Sequence, residues 1–124
     1  MIKVNIGGMN TQEIKSLVEQ VAEGKIEAKL TSDISGVQEV AKGEADYYIG
    51  ACATGGGGAI AMAIAILGYS KCFTASMPGK PPREEEVEKA VRDGKKAFGF
   101  TCDHVQLAVP MIVKAILETS SAKE

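Results

Sequence analysis

The sequence has no tryptophan, and His104 is its only histidine. Cysteine is scarce: Cys52, Cys72 and Cys102 are odd in number and lack CxxC spacing, which excludes a disulfide framework and fits reduced thiols. No charge of one sign dominates. A formal net charge of −2 and a pI near 5.5 leave no basic face to meet a phosphate backbone, so nucleic acid is excluded as a partner. Long apolar runs are missing as well. Between Asp46 and Lys71 there is no charged residue, but only Ala59 to Leu67 is strongly apolar, short of the ~20 residues a bilayer needs. That excludes membrane insertion and predicts a buried core helix, apolar all round. The opening Met1-Ile2-Lys3-Val4-Asn5-Ile6 is too short for a signal-peptide core, and a cytoplasmic location is expected. There is no internal repeat and no low-complexity tail.

What is present is a globular composition, 45% hydrophobic and 24% charged, in 124 residues, which predicts a single α/β domain over residues 1–124. Its most distinctive stretch runs from Asp46 to Tyr69. Asp46-Tyr47-Tyr48-Ile49 reads as a buried strand. Gly50-Ala51-Cys52-Ala53-Thr54 leads into Gly55, Gly56, Gly57 and Gly58, and Ala59 to Leu67 reads as a helix that ends at Gly68. Strand, glycine-rich turn and helix form a phosphate-cradle layout, in which backbone N–H groups and the helix N-terminus attract an anion. The alternative is a tight turn whose glycines serve packing alone. Two nucleotide readings fall on spacing: the glycines do not fit Gly-x-Gly-x-x-Gly, and the lysine of a Walker loop is missing, so no cofactor is expected.

Along the chain, Lys3 to Ile6 reads as a first strand ending in Gly7-Gly8, and Asn10 with Glu13 is close to a capping box for a helix carrying Ile14, Leu17, Val18 and Val21. Gly24 stops that helix. Ile26, Ala28 and Leu30 alternate as a second strand. Ser32 or Asp33 caps a helix carrying Ile34, Val37 and Val40, closed by Gly43. Cys72 to Ala75 gives a fourth strand, with Cys72 in the core. Pro81 or Pro82 opens a helix with acids in its first turn, which Gly94 ends. Ala97 to Thr101 gives a fifth strand, and Asp103 caps a last helix that Pro110 should kink or delay; Ser120 to Glu124 is expected to fray. The alternation predicts a three-layer α/β fold, flavodoxin-like or Rossmann-like, with a five-stranded mostly parallel sheet in the order 2-1-3-4-5. Ligands of such sheets bind beyond the carboxyl ends of the strands, between strands 1 and 3. That brings Gly7, Gly8 and Asn10 beside Cys52 and Gly55 to Gly58.

Across nearly its whole length the sequence resembles the YhfU-like proteins, an uncharacterised bacterial family. The residues that carry this are Asp46-Tyr47-Tyr48-Ile49-Gly50-Ala51-Cys52, Thr54-Gly55, Ala97-Phe98-Gly99, His104-Val105 and Pro110-Met111. Over about a dozen residues a second resemblance carries chemistry. Cys52-x-Thr54-Gly55-x-Gly57 is similar to the active-site turn of type B ribose-5-phosphate isomerases, the LacA/RpiB superfamily. That resemblance implies Cys52 as the base moving a proton between adjacent sugar carbons, Thr54 as the ring-opening partner, and Gly55 and Gly57 as the turn holding the enediolate oxygen. The sequence departs from that family after strand 1, where Gly7-Gly8-Met9-Asn10 stands in place of an acidic residue and a histidine, and it lacks the family's arginine cluster.

A helix N-terminus favours a reactive thiolate, and Cys52 stands just upstream of one; the alternative is a small buried thiol in a tight turn. With strand 4 between strands 3 and 5, at ~4.8 Å per strand, His104 is about 10 Å from strand 3, against a direct Cys52–His104 pair. Cys52, Cys102, Asp103 and His104 lack metal-ligand spacing, and no metal site is expected. Lys80 and Arg83 are candidate phosphate partners, with solvated surface charge as the alternative. The leading expectation is a small-molecule-binding domain that holds an anionic, phosphorylated metabolite on the turns after strands 1 and 3, with His104 as a further ligand-binding candidate. An aldose–ketose sugar-phosphate isomerase using Cys52 is the second. A phosphocarrier-like subunit of a sugar transport system is third, since the cysteine of those proteins follows the first strand. A homo-oligomer is expected from the short, very apolar third helix.

Overall fold

A computed structural model of the chain describes residues 1–53 and 58–122. Strands β1 (Ile2–Gly8), β2 (Ile26–Leu30), β3 (Tyr47–Cys52), β4 (Cys72–Thr74) and β5 (Ala97–Thr101) alternate with helices α1 (Thr11–Ala22), α2 (Asp33–Ala41), α3 (Gly58–Leu67), α4 (Glu84–Arg92) and α5 (Val105–Ala122). All strand pairings are parallel, and the sheet order is β2-β1-β3-β5-β4. The three-layer, five-stranded parallel architecture is as the alternation predicts. The last two strands are exchanged relative to the expected order. β4 has three residues and suits an edge, whereas every residue of β5 is buried and needs a neighbour on both sides.

The two faces of the sheet are distinct. Val4, Ile6, Ile49, Ala51, Phe98 and Phe100 point toward α1, α4 and α5, forming the larger core with Ile14, Val18, Val87, Val109 and Ile112. Tyr48, Cys72 and Ala97 point the other way, toward Val37 and Val40 of α2 and Ile60 and Ala63 of α3. Cys72 is therefore in the core, as expected. Burial pushes its thiol upward, and its Sγ lies 3.5 Å from the Gly68 carbonyl. The apolar helix α3 is not buried all round: Ile60 and Ala63 are buried, but Ala61 and Ala65 are exposed. Among the described residues no helix is long and apolar enough to cross a membrane.

Several helix ends follow the local signals. Ser32 caps α2 through its Oγ, which accepts from the Ser35 N–H at 3.1 Å. Asn10 precedes α1 in the left-handed region (φ 56°) and makes no side-chain cap; its Nδ2 donates instead to Glu13 Oε1 at 3.1 Å. Glu84, Glu85 and Glu86 occupy the first turn of α4, with Arg83 rather than a proline at its N-cap. Pro110 lies inside α5, which begins at Val105 after a 3-10 turn over Cys102–His104 and continues to Ala122, past the point where fraying is expected.

Candidate functional site

The carboxyl ends of β1, β3 and β5 lie side by side, and their register fixes which side chains meet. Gly7, Gly50 and Gly99 form one row across the three strands, and Cys52 and Thr101 are register partners in the next layer out. All of these residues share the α2/α3 face, because residues two apart on a strand point the same way. The row of glycines leaves the layer beneath Cys52 and Thr101 without side chains of its own. Tyr48 fills part of that space.

Placing β5 beside β3 overturns the expected separation of Cys52 from His104. β5 lies one strand spacing, ~4.8 Å, from β3 rather than two. Thr101, the neighbour of Cys52, meets His104 Nδ1 through its Oγ1 at 2.5 Å. It is also joined to Ser76, whose Oγ lies 3.1 Å from Thr101 Oγ1 and accepts from the Thr101 N–H at 3.0 Å. Ser76 and Thr101 are both buried, so this network has little competition from water. Thr101, first, and then His104 hold the exposed Asp103 carboxyl below the usual carboxylate range.

On the other flank of Cys52, the Tyr48 hydroxyl donates to Asp33 Oδ1 at 2.5 Å. Burial, then the Asp33 bond and the charges of Asp33 and Cys52, push the Tyr48 phenol far above its usual range. The turn after β1 is pinned to β3: the Met9 N–H donates to the Ala51 carbonyl at 2.8 Å, and any side chain at Gly8 (φ 77°) would collide with that same carbonyl oxygen. Asn10 is thereby fixed at the same edge, exposed. Gln106, in the first turn of α5, donates to Glu13 and ties α5 to α1.

Of the residues singled out in the sequence, Gly7, Gly8, Asn10, Cys52 and His104 converge on this edge, and Gly58 begins α3. Thr54, Gly55, Gly56 and Gly57 lie outside the described residues. Lys80 and Arg83 are exposed on the connection from β4 to α4. Among the described residues no cluster of three or more histidine, cysteine or acidic side chains could hold a metal ion. Sequence reasoning missed Asp33, Tyr48, Ser76 and Thr101. The available signal was a polar atom inside otherwise apolar strands, at Tyr48 and Thr101, which needs a partner when buried. A separate depression of about 760 Å³, lined by Met1, Lys25, Asp46, Tyr47 and Lys96 among others, lies at the opposite edge of the sheet. It brings together no acid–base pair comparable to Cys52 and the Thr101–His104 unit.

Comparison with known proteins bears on the family and the fold. Residues 2–116 match the family described as "Protein of unknown function DUF2620". "Uncharacterized protein YhfU" from Escherichia coli (strain K12) and its counterpart from Shigella flexneri are each 39% identical over 113 residues, covering 91% of this chain and 97% of theirs. Among solved structures, ribose-5-phosphate isomerase B of Giardia lamblia superposes with a TM-score of 0.66 at 21% identity, covering 95% of both chains. The ribose 5-phosphate isomerase of Thermotoga maritima gives 0.67 at 21% identity, over 95% of this chain and 87% of that one. The fold is thus that of type B ribose-5-phosphate isomerases, and by sequence the chain is similar to the YhfU proteins and belongs to the DUF2620 family.

Proposed function

We propose that this protein binds a phosphorylated sugar at the carboxyl edge of β1, β3 and β5 and interconverts its aldose and ketose forms. The observation that carries the reading is that Cys52 and Thr101 are register partners on adjacent strands, with the Thr101 hydroxyl bonded to His104. An aldose–ketose isomerisation needs a base at carbon and a group that handles protons at oxygen, both held against one ligand. In the step proposed, the Cys52 thiolate removes the proton from the carbon beside the carbonyl, giving an enediolate. The Cys52 thiol returns a proton to the former carbonyl carbon, while His104 passes the hydroxyl proton from one oxygen to the other. Nothing is gained or lost overall, so no co-reactant is required. The resemblance assigns Thr54 to ring opening and the glycines after it to the enediolate oxygen.

A second reading keeps the binding and removes the turnover. It is favoured by the cations near this edge, Lys80 and Arg83, which stand exposed on the connection from β4 to α4 and form no ion pair among the described residues. A homo-oligomer belongs to the proposal on either reading. Met9, Leu30, Ile34, Met77 and Leu107 are exposed apolar side chains at or after the carboxyl ends of strands.

The test is a thermal-shift series with ribose 5-phosphate, other sugar phosphates, inorganic phosphate and sulfate, followed by a turnover assay of the ligands that bind. A ligand at ~100 times its dissociation constant raises stability by about 2.7 kcal/mol, a shift of several degrees. Binding with turnover that Cys52→Ala abolishes is the expected result. Binding without turnover in the unaltered protein would select the second reading, and no shift from any anion would sink both.

A further inference from the structure

Tyr48 and Asp33 form a unit that the proposed proton transfer does not use. Tyr48 is wholly buried, and its hydroxyl is spent on one bond, to Asp33 Oδ1 at 2.5 Å. The fold gives up side chains to seat that bond. A Cβ at Gly7 would lie 2.5 Å from the Tyr48 hydroxyl and 2.7 Å from Asp33 Oδ1, so the phenol and the carboxylate occupy the space a residue-7 side chain would take. Gly36, in α2, has its absent Cβ 3.1 Å from the Tyr48 ring and against Thr31 Oγ1. α2 is anchored independently: the buried Asn5 donates to the Gly36 carbonyl at 3.1 Å and to Glu39 Oε1 at 3.0 Å, and Lys29 pairs with Glu39 at 3.1 Å.

The carboxylate placed by this scaffold is half-buried at the carboxyl edge, on the β1 side of Cys52, and among the described residues no cation pairs with it. Tyr48 and Cys52 lie four residues apart on β3 and share its α2/α3 face, which sets the Tyr48–Asp33 pair beneath Cys52 at the same edge. A carboxylate has about four acceptor sites, and Tyr48 takes one. What remains is an oriented acceptor for O–H donors, and a charge that repels a phosphate.

We infer that Asp33, held in place by Tyr48, is a ligand-binding carboxylate that accepts hydrogen bonds from hydroxyls of the sugar, so that the ligand class is a polyhydroxylated phosphate ester lying with its hydroxyl chain toward β1. The inference rests on the proposed sugar-phosphate site and specifies which end of the ligand meets which flank. Asp33 reads hydroxyls, and Tyr48 is a positioning residue that does not touch the ligand.

Calorimetric titration of the full chain with ribose 5-phosphate and with inorganic phosphate tests this, in the unaltered protein, Asp33→Asn and Tyr48→Phe. The expected result is that Asp33→Asn weakens ribose 5-phosphate by about 10- to 100-fold, the loss of one or two charge-assisted bonds. Inorganic phosphate should bind that variant as well as before or better, because a negative charge has gone. Tyr48→Phe keeps the ring volume and should move the ribose 5-phosphate affinity in the same direction by a smaller factor, which preserves the comparison should Asp33→Asn fold poorly. Equal weakening of both ligands, or no change in ribose 5-phosphate binding, would overturn the assignment. Unaltered protein that binds phosphate as tightly as ribose 5-phosphate would overturn it while leaving the anion site standing. Protein that binds neither would remove the site reading and this inference together.

Discussion

At the scale of single residues, glycines and buried hydroxyls decide the geometry of the edge. Gly7→Ala forces a methyl group against the Tyr48 hydroxyl and Asp33 Oδ1 at 2.5 and 2.7 Å. Overpacking of this kind costs about 1–3 kcal/mol, and the melting temperature should fall by several degrees. Gly24 (φ 87°) has nothing within 4 Å of its missing Cβ, so Gly24→Ala should cost only the left-handed backbone strain, about 1 kcal/mol. A Gly7→Ala protein as stable as Gly24→Ala would mean that the Tyr48 slot gives way freely. Tyr48 also predicts a pH dependence. Its phenol is raised in the folded state, so the folded chain holds that proton more tightly than the unfolded chain. Stability from this group is fully present below the ordinary tyrosine pKa near ~10 and is lost as pH rises above it. Melting curves of the unaltered protein and Tyr48→Phe should therefore diverge less and less from pH 9 to pH 11. A gap that stays constant across that range would contradict the assignment. In the sequence, Tyr48 was legible only as a strand residue and Asp33 only as a cap candidate, because the contact between them joins two different elements, β3 and α2.

At the scale of elements, most boundaries could be read from the chain, and one pairing could not. Alternation and caps located all five strands and five helices to within a few residues, since each signal is local: Ser32 at the start of α2, Gly24 and Gly94 just past helix ends, acids opening α4. Strand order is not local. Assigning the strands outward in sequence put β4 beside β3, although a three-residue strand followed by Ser76-Met77-Pro78-Gly79 carries the marks of an edge. The correction brings Thr101 against Cys52 and with it the only histidine. Native-state hydrogen exchange tests the arrangement directly. Amides of β5, buried throughout and flanked on both sides, should exchange only through near-global unfolding, while those of β4 exchange faster. Equal protection of β4 and β5 would argue against the order. Thr101→Val deletes a buried hydroxyl shared by Ser76 and His104. It should cost about 1–3 kcal/mol, and it should reduce turnover more than ribose 5-phosphate binding.

At the scale of the whole molecule, the chain sets a sheet of parallel strands between two helical layers and brings the Tyr48–Asp33 and Thr101–His104 pairs to one edge. The amino-acid pattern made that edge predictable from strand polarity alone, and Gly7, Gly8, Asn10, Cys52 and His104 all reach it. The partners that orient them could not be read, because Ser76, Thr101, Tyr48 and Asp33 meet only after folding. The exposed apolar side chains of Met9, Leu30, Ile34, Met77 and Leu107 predict an assembly of identical chains. Light scattering should return a multiple of 13.0 kDa, and polar substitutions at Leu107 and Ile34 should shift it toward a single chain. The central claim is that Cys52 moves a carbon-bound proton of a sugar phosphate in this crevice. Proton magnetic resonance of ribose 5-phosphate incubated with the protein in heavy water tests it most directly. The account predicts loss of the proton signal at the carbon beside the carbonyl, with ketose formed in step, and neither change with Cys52→Ala. Ribose 5-phosphate that binds yet keeps that proton indefinitely, or exchange that persists at full rate in Cys52→Ala, would contradict it.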